Sequence, residues 1–309
     1  MKKYLNVFAG IAIAILLIAS CTGSSSDNEN YFLDLNKGWK FKTGDSLAWA
    51  KPDYNDSSWD SIAVGKNWEA QGYENYNGFA WYRTKVVIPS SLKENAFLKD
   101  SIQFMLGRID DNDQFYLNGV LIGENNKITS TPTGDSAFYA MSGFWNMERN
   151  YILPANNPNI LWDKENVIAI RVADHDAGGG IFTSNLKIQM LDIHDKLVID
   201  KSHPFQFEDT KISKTYVVKN NSQVELKGKF TIEVIIDETN ASLFKTEESL
   251  DLKPSESKEI LASYNSPIEA ASVNLTFAHS DSKITVKKSR RSSIYSYTQT
   301  SGRAKDQWR

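Results

Sequence analysis

The segment AWYRTKVVIP at residues 80–89 and the segment SIQFMLGRIDDNDQFYLNGVLIG at residues 101–123 decide the fold of this chain. From Tyr82 to Ile88 polar residues alternate with apolar ones, and the run stops at Pro89, as a β-strand does. The second segment closes in Asn118-Gly119. This pair suits a two-residue hairpin turn, because both central positions of that turn take positive φ angles. Together these features predict consecutive β-strands joined by a tight turn.

The rest of the sequence also predicts an all-β protein. Short β-branched and aromatic runs are bounded by Gly, Pro, Asn and Asp, and helical periodicity is nearly absent. Residues 31–193 form one unit, large enough to bury about 70% of its unfolded surface. Residues 209–288, with regularly spaced turns, are typical of a smaller immunoglobulin-like β-sandwich. Residues 289–309 are predicted to be a disordered basic tail.

The N-terminus predicts a lipoprotein signal peptide at residues 1–21. Two lysines precede an apolar run from Val7 to Ile18, which is too short to be a membrane span. The run ends in Ile-Ala-Ser-Cys at 18–21, which resembles a bacterial lipobox. Cys21 is the only cysteine of the chain and cannot form an internal disulfide. Acylated at that residue, the protein would be anchored to a membrane, with residues 22–30 as a flexible tether.

Charge and the residue after the cysteine bear on location and partners. A net charge of −3 and a pI near 5.9 give no electrostatic case for nucleic acid. Thr22 follows Cys21, and by similarity to other lipoproteins this favours the outer membrane of a Gram-negative cell. We therefore expect a secreted, lipid-anchored protein.

A series of motifs resembles the jelly-roll, galactose-binding-like sugar-binding domain of glycoside hydrolase family 2. The matching pieces occur in the family's order. They are Gly44-Asp45 with Trp49, Trp59, Trp68-Glu69 with Gly72-Tyr73, Gly78 through Arg83, Leu106 through Asp111, Asn118-Gly119 with Ile122-Gly123, Asn166 through Val172, and Gly178-Gly179-Gly180-Ile181. The resemblance covers roughly half of the chain. It implies a jelly-roll β-sandwich at 31–193 that holds or positions carbohydrate.

The resemblance also implies which residues face the sugar. In family 2 galactosidases and glucuronidases, an acidic residue before a Ser-Gly-Ile-Phe stretch reaches toward the sugar. Here the matching stretch is Gly179 to Phe182, but Ala177-Gly178 replaces the usual Trp-Arg. Exposed rings and carboxylates at a loop rim are the expected binding groups. The candidates are Trp68, Tyr73, Tyr76, Trp81, Asp174 and Asp176.

Three acidic residues, Asp110, Asp111 and Asp113, allow two interpretations. Adjacent strand residues point to opposite faces, so Asp110 and Asp111 are not expected to converge. Asp111 and Asp113 could share a face and bind a cation such as calcium. Alternatively, these acids hydrogen-bond the turn backbone and pair with Arg83 or Arg108. No other cofactor is indicated by the sequence.

A second motif points to different chemistry. Gly44-Asp45-Ser46-Leu47 and Asp200-Lys201-Ser202-His203 spell the nucleophile block and the Asp-x-x-His block of GDSL esterases. A serine nucleophile needs such a histidine and an orienting acid. That fold, however, alternates strands with long helices, and no helical pattern follows Ser46. The family 2 resemblance already accounts for Gly44 and Asp45.

Two main functions follow from the sequence. The first is a non-catalytic carbohydrate-binding surface lipoprotein associated with glycan degradation. A family 2 hydrolase carries its catalytic carboxylates on a barrel of some 250 residues, and the residues after 193 predict β-structure instead. The alternative is a truncated or accessory part of a β-galactosidase-like or β-glucuronidase-like hydrolase, or of a carbohydrate esterase. A structural module that packs on a partner is a third reading.

Overall fold

The computed structural model describes residues 32–125, 144–265, 267, 270–281 and 284–292. The predicted signal peptide, Cys21 and the tether lie outside the described residues. So do residues 293–309 of the predicted tail.

A first β-sandwich is built from two antiparallel sheets. One has six strands: β2 (Trp39–Thr43), β3 (Asp60–Ile62), β4 (Gly78–Val87), β6 (Asn112–Leu117), β7 (Val120–Asn125) and β9 (Glu165–Asp174). Their order is β3-β2-β4-β9-β6-β7. The other has five: β1 (Phe32–Asp34), β5 (Ser101–Asp110), β8 (Glu148–Pro154), β10 (Gly180–Ile181) and β11 (Lys187–Met190). In that sheet β5 pairs with β8 on one side and with β10 and β11 on the other.

Alternation along the strands places one face of each sheet in a shared core. On β4, Ala80 and Tyr82 face this core, whereas Trp81 and Arg83 lie on the opposite face. Fully or nearly fully buried side chains from both sheets fill the core: Trp39, Phe41, Tyr82, Phe104, Phe115, Ile170 and Ile188. Burying each such side chain contributes about 1.5–3 kcal/mol.

The opposite face of the six-stranded sheet is covered as well. Three rings from the segment after β2, those of Trp49, Tyr54 and Trp59, pack there on Trp81 of β4 and Tyr116 of β6 in an outer cluster. The segment is fixed by Asp56, whose carboxylate accepts from the Arg83 guanidinium at 3.0 Å. Trp59 is 6% exposed and lies 5.3 Å from the Trp49 ring, centroid to centroid. Trp59 therefore pins this segment to the sandwich.

A second β-sandwich follows. Its first sheet contains β12 (Leu197–Asp200), β13 (Gln206–Glu208), β14 (Lys211–Asn220) and β17 (Ser257–Asn265). Its second sheet contains β15 (Leu226–Ile236), β16 (Ser242–Leu252), β18 (Ala271–His279) and β19 (Thr285–Ser292), in the order β16-β15-β18-β19. Phe230, Ile232 and Phe277 are at its centre. The predicted all-β fold class is confirmed.

The second core begins earlier than the sequence indicated, and its last strand ends later. Ile193, in the one-turn helix α2 (Ile193–Lys196), and Leu197 already belong to it, whereas the pattern placed its start at 209. Strand β19 runs to Ser292 and pairs with β18, so the predicted tail begins inside a strand. Basic residues dominate β19, so the sequence pattern did not indicate a strand there. The backbone of β19 nevertheless pairs with that of β18.

Among the described residues, helices are few and short. A helix α1 (Ser90–Asn95) comes directly after Pro89, and two short 3₁₀ turns lie at Leu47–Ala50 and Trp68–Gln71. Within the described part of the chain, no helix is long and apolar enough to cross a membrane. Asn118 and Gly119 have φ angles of 52° and 85°, which confirms the predicted hairpin turn.

The second core provides a direct test of packing. Phe230 is 1% exposed, so Phe230→Ala should lower the free energy of unfolding by about 3–5 kcal/mol through lost burial and a residual cavity. Leu261→Ala is the matched control, because Leu261 lies in the same sandwich and is 64% exposed. Urea unfolding followed by far-UV circular dichroism measures both, since residues 193–292 contain no tryptophan. Equal effects of the two substitutions would contradict the assignment of Phe230 to the core.

Candidate functional site

Three strands of the first sandwich meet at one end, and each brings an acidic residue. Strand β5 ends at Asp110, Asp111 leads into β6, and β9 ends at Asp174. Asp110 lies opposite Gly180 of β10, and Asp174 lies opposite Gly78 of β4. One carboxylate oxygen from each of the three aspartates lies within 4.8 Å of the others. These residues are called the acidic cluster below.

The convergence of Asp110 and Asp111 corrects the expectation that they point apart. Alternation holds only within a continuous strand, and Asp111 lies between the end of β5 and the start of β6. The peptide bond between the two residues is cis. Sequence periodicity cannot show such a break between two strands.

The carboxylate of Asp174 is buried, and no described residue donates a hydrogen bond to it. The residue is fully buried, and neither carboxylate oxygen has a hydrogen-bond partner among the described residues. Burial first, and then the charges of Asp110 and Asp111, raise its pKa to about 8 from an ordinary 3.8. Burial, followed by a hydrogen bond and the charge of Asp111, raises the pKa of Asp110 to about 7. Both acids therefore keep a proton at higher pH than an exposed aspartate does.

The glycine-rich loop after β9 closes over Asp174. The backbone N–H of Gly179 donates to the Glu69 carboxylate at 3.1 Å, and its carbonyl accepts from the Trp68 N–H at 3.1 Å. A Cβ atom on Gly179 would lie 2.1 Å from Trp68 Cζ2 and 2.8 Å from Asp174 Cγ. Only glycine allows this close approach. The loop thereby buries Asp174 and brings a fourth carboxylate, that of Glu69, close to the cluster.

Arg149 holds the cluster's backbone in place. Its buried guanidinium donates to Asp113 Oδ1 and to the backbone carbonyl oxygens of Ile109, Asp111, Phe144 and Met147. Five acceptors on two separate segments are thus joined by one side chain. The junction between β5 and β6 is fixed to the turn that precedes β8.

The partners of the acidic residues differ from those predicted. Asp113 does not join Asp111 at a shared cation, since its carboxylate pairs with Arg149 and accepts from the Tyr151 hydroxyl. Arg83 pairs with Asp56, and Arg108 pairs with Glu148 at the surface. The predicted pairs with Arg83 and Arg108 were therefore wrong. Residue type alone could not choose among several arginines that lie on different strands.

Three of the six predicted rim residues are buried. Trp68 lies in the core, where Gly179 and Tyr76 cover it, and Trp81 lies in the outer cluster, where its Nε1 donates to Asp45. Both are 0% exposed, so neither ring face is available for stacking on a sugar. Asp174 is equally inaccessible. The prediction of exposed side chains was wrong for these three, because their cover comes from distant segments of the chain.

The other three predicted residues reach the surface to differing degrees. Tyr73 and Tyr76 are half-buried against the core. Their hydroxyls donate to Asp60 at 2.7 Å and to the Phe79 carbonyl at 2.5 Å, respectively. Asp176 is exposed, and its Oδ1 accepts from the Ala177 N–H at 2.8 Å. Of the six, Asp176 is the one with a freely accessible charged group.

Sequence reasoning missed an exposed tryptophan beside a half-buried phenylalanine at this end of the sandwich. Trp145 is 50% exposed, and its ring lies 6.4 Å from the ring of Phe182, which follows β10 directly. Arg149 bonds the carbonyl of the residue before Trp145 and that of Asp111, so this turn lies beside the acidic cluster. Trp145, Phe182 and Asp176 are called the aromatic rim below. Two aromatics far apart in sequence give no local signal of such a pair.

The fold can now be set beside known structures. Bacteroides uniformis β-glucuronidase 2 superimposes with a TM-score of 0.54 at 18% identity, over 85% of this chain and 32% of that one. A family 2 glycosyl hydrolase from Bacteroides cellulosilyticus gives 0.50 at 15% identity, over 85% and 36%. The fold is shared with family 2 glycoside hydrolases. The resemblance predicted from the motifs is thus confirmed at the level of the fold.

The extent of this match is also informative. A further β-glucuronidase of glycoside hydrolase family 2 gives a TM-score of 0.50 at 14% identity, over 84% of this chain and 30% of that one. The chain therefore spans 30% to 36% of the length of these family 2 enzymes. No family model and no curated protein matches the sequence.

The geometry does not assemble the esterase motif. Ser46 precedes the 3₁₀ turn of the first sandwich, whereas His203 lies between β12 and β13 of the second. Asp45 accepts from the Trp81 indole and the Arg171 guanidinium, which ties the segment after β2 to the sheet. As the family 2 resemblance implied, Gly44-Asp45 belongs to the sandwich.

Arg149 offers a sharp test of this site. Arg149→Met should lower the free energy of unfolding by about 3–5 kcal/mol, because it leaves the Asp113 carboxylate buried and unpaired. The control is Arg108→Met on the neighbouring strand, whose pair with Glu148 is exposed and should contribute under about 1 kcal/mol. Urea unfolding measures both. If the pair is as described, Asp113→Asn in the Arg149→Met background should recover the part of the loss that comes from the unpaired charge, and an additive loss would contradict it.

Proposed function

We propose that this protein binds carbohydrate without cleaving it and takes part in glycan degradation, with the aromatic rim as its binding site. The observation that supports this most is the exposed Trp145 ring beside Phe182, at the end of a sandwich whose fold is shared with family 2 glycoside hydrolases. An indole face is a flat apolar surface that the apolar face of a sugar ring can cover. Asp176, on the segment between β9 and Phe182, supplies an exposed hydrogen-bond acceptor for hydroxyl groups.

The expected affinity is weak. Sugar hydroxyls exchange hydrogen bonds with water for bonds with the protein, and the net gain of each exchange is small. The ring contact therefore carries most of the binding free energy, and the carboxylate selects orientation. The buried Asp174 does not contact the sugar in this proposal. It lies beneath the loop that carries Asp176.

Replacing Trp145 tests the proposed binding site. Trp145→Ala should weaken binding at least about tenfold, the equivalent of 1.4 kcal/mol. Phe207→Ala is the matched control, since Phe207 of the second sandwich is 65% exposed and its ring lies the same 6.4 Å from a half-buried phenylalanine ring, that of Phe205. Isothermal titration of the full chain against a panel of polysaccharides provides the measurement. Absence of heat across the panel, or equal losses in both variants, would contradict the proposal.

A second candidate function follows from the enzymes that share the fold. The neighbours named β-glucuronidases are hydrolases, and the chain spans about a third of their length. On this alternative the two sandwiches are a truncated or accessory part of a glycoside hydrolase or carbohydrate esterase. The DNA after the codon for Arg309 tests it. An in-frame catalytic domain or an adjacent hydrolase gene would support this alternative over an independent binding protein.

We further propose that the mature protein is secreted and lipid-anchored through Cys21, at the outer membrane of a Gram-negative cell. The support is the lipobox-like sequence and the single cysteine. Cys21→Ser should abolish incorporation of labelled palmitate and move the protein out of the membrane fraction, because acylation and its anchoring are lost. Ser20→Ala is a suitable control at the adjacent position. Unchanged labelling in Cys21→Ser would refute lipidation at this residue.

A further inference from the structure

We propose that Asp110, Asp111 and Asp174 together bind a divalent cation of the calcium class. Nothing in the sugar-binding proposal requires this site, which lies beneath the loop rather than on the aromatic rim. Two independent observations support it: the convergence of the three carboxylates and the unpartnered, buried carboxylate of Asp174.

The spacing of the cluster fits such an ion. Ca²⁺ takes oxygen ligands at about 2.3–2.6 Å, so two oxygens on one ion are separated by at most about 5 Å. The three carboxylates each place an oxygen within 4.8 Å of the others. They come from the end of β5, the start of β6 and the end of β9. A single ion could therefore join two separate chain segments, the β5–β6 junction and the end of β9, without moving either of them far.

The charge balance also indicates a cation. No salt bridge of the described residues includes Asp110, Asp111 or Asp174. Arg149 is close, but its guanidinium binds the Asp111 carbonyl oxygen and pairs with the Asp113 carboxylate. A buried carboxylate is normally paired or hydrogen-bonded. Asp174 is fully buried, and neither of its oxygens has a partner in the described part of the chain.

The ligand chemistry selects the kind of ion. The cluster offers only carboxylate oxygens, which suit hard cations such as Ca²⁺ rather than metals that prefer nitrogen or sulfur. Ca²⁺ also tolerates irregular coordination, whereas Mg²⁺ demands near-ideal octahedral geometry. Calcium is therefore the ion that the cluster fits best.

Titration of the full chain with CaCl₂ after EDTA treatment tests the proposal. Calorimetry should show one site with a dissociation constant of about 1 mM or tighter. Asp174→Asn should weaken binding at least about tenfold, because it removes a charged ligand. Glu165→Gln is the matched control, being an exposed carboxylate at the opposite end of β9, outside both the cluster and the aromatic rim, and should bind as the parent does. Asp110→Asn serves as a second ligand variant should Asp174→Asn fail to fold.

Thermal unfolding provides an independent readout on the same proteins. Calcium should raise the melting temperature of the parent and of Glu165→Gln, since a ligand that binds only the folded state stabilises it. It should leave that of Asp174→Asn unchanged. Absence of calcium binding by the parent, tighter binding of Mg²⁺ than of Ca²⁺, or an undiminished calcium effect in Asp174→Asn would each overturn the proposal. Loss of sugar binding in Trp145→Ala with calcium binding intact would separate the two sites.

Discussion

The buried ion pair between Arg149 and Asp113 is the constraint on which this end of the first sandwich depends. A charge inside a protein is tolerated only when it is paired and its remaining hydrogen-bonding groups are satisfied. Arg149 meets this condition by donating to one carboxylate and to four backbone carbonyls. Those carbonyls belong to the β5–β6 junction and to the turn before β8. The same guanidinium thus positions both the acidic cluster and the exposed Trp145.

Local sequence patterns were sufficient for the fold. Alternation along β4 separates Tyr82, in the core, from Trp81, in the outer cluster, and Asn118-Gly119 forms the turn its residue types require. Strand β19 was missed in part, because a strand can be held by its neighbour's backbone while its side chains remain basic. Patterns of period two report burial of side chains, not hydrogen bonding of the backbone.

The site was harder to predict, and the reason is the same for each error. Trp68 is covered by Gly179, and Trp81 by the segment that contains Trp59, so the exposure of these rings is decided by residues far away in the sequence. The convergence of Asp111 and Asp174 likewise joins two strand ends. Asp176 was accessible as expected, because it lies in a loop. Sequence periodicity indicates only how residues close together in the chain are oriented, whereas a binding surface is formed by several segments that are far apart in sequence.

The pairing of the first strand with the last strand of its sandwich has a consequence for synthesis. Phe32 of β1 pairs with Gln189 of β11, and Leu186 bonds Asn36 across 150 residues of chain. Loops of this length close slowly, and topologies rich in such contacts fold late. Strand β1 therefore cannot pair until the ribosome has synthesised β11. Until then the nascent chain exposes unpaired edges, which chaperones are suited to cover.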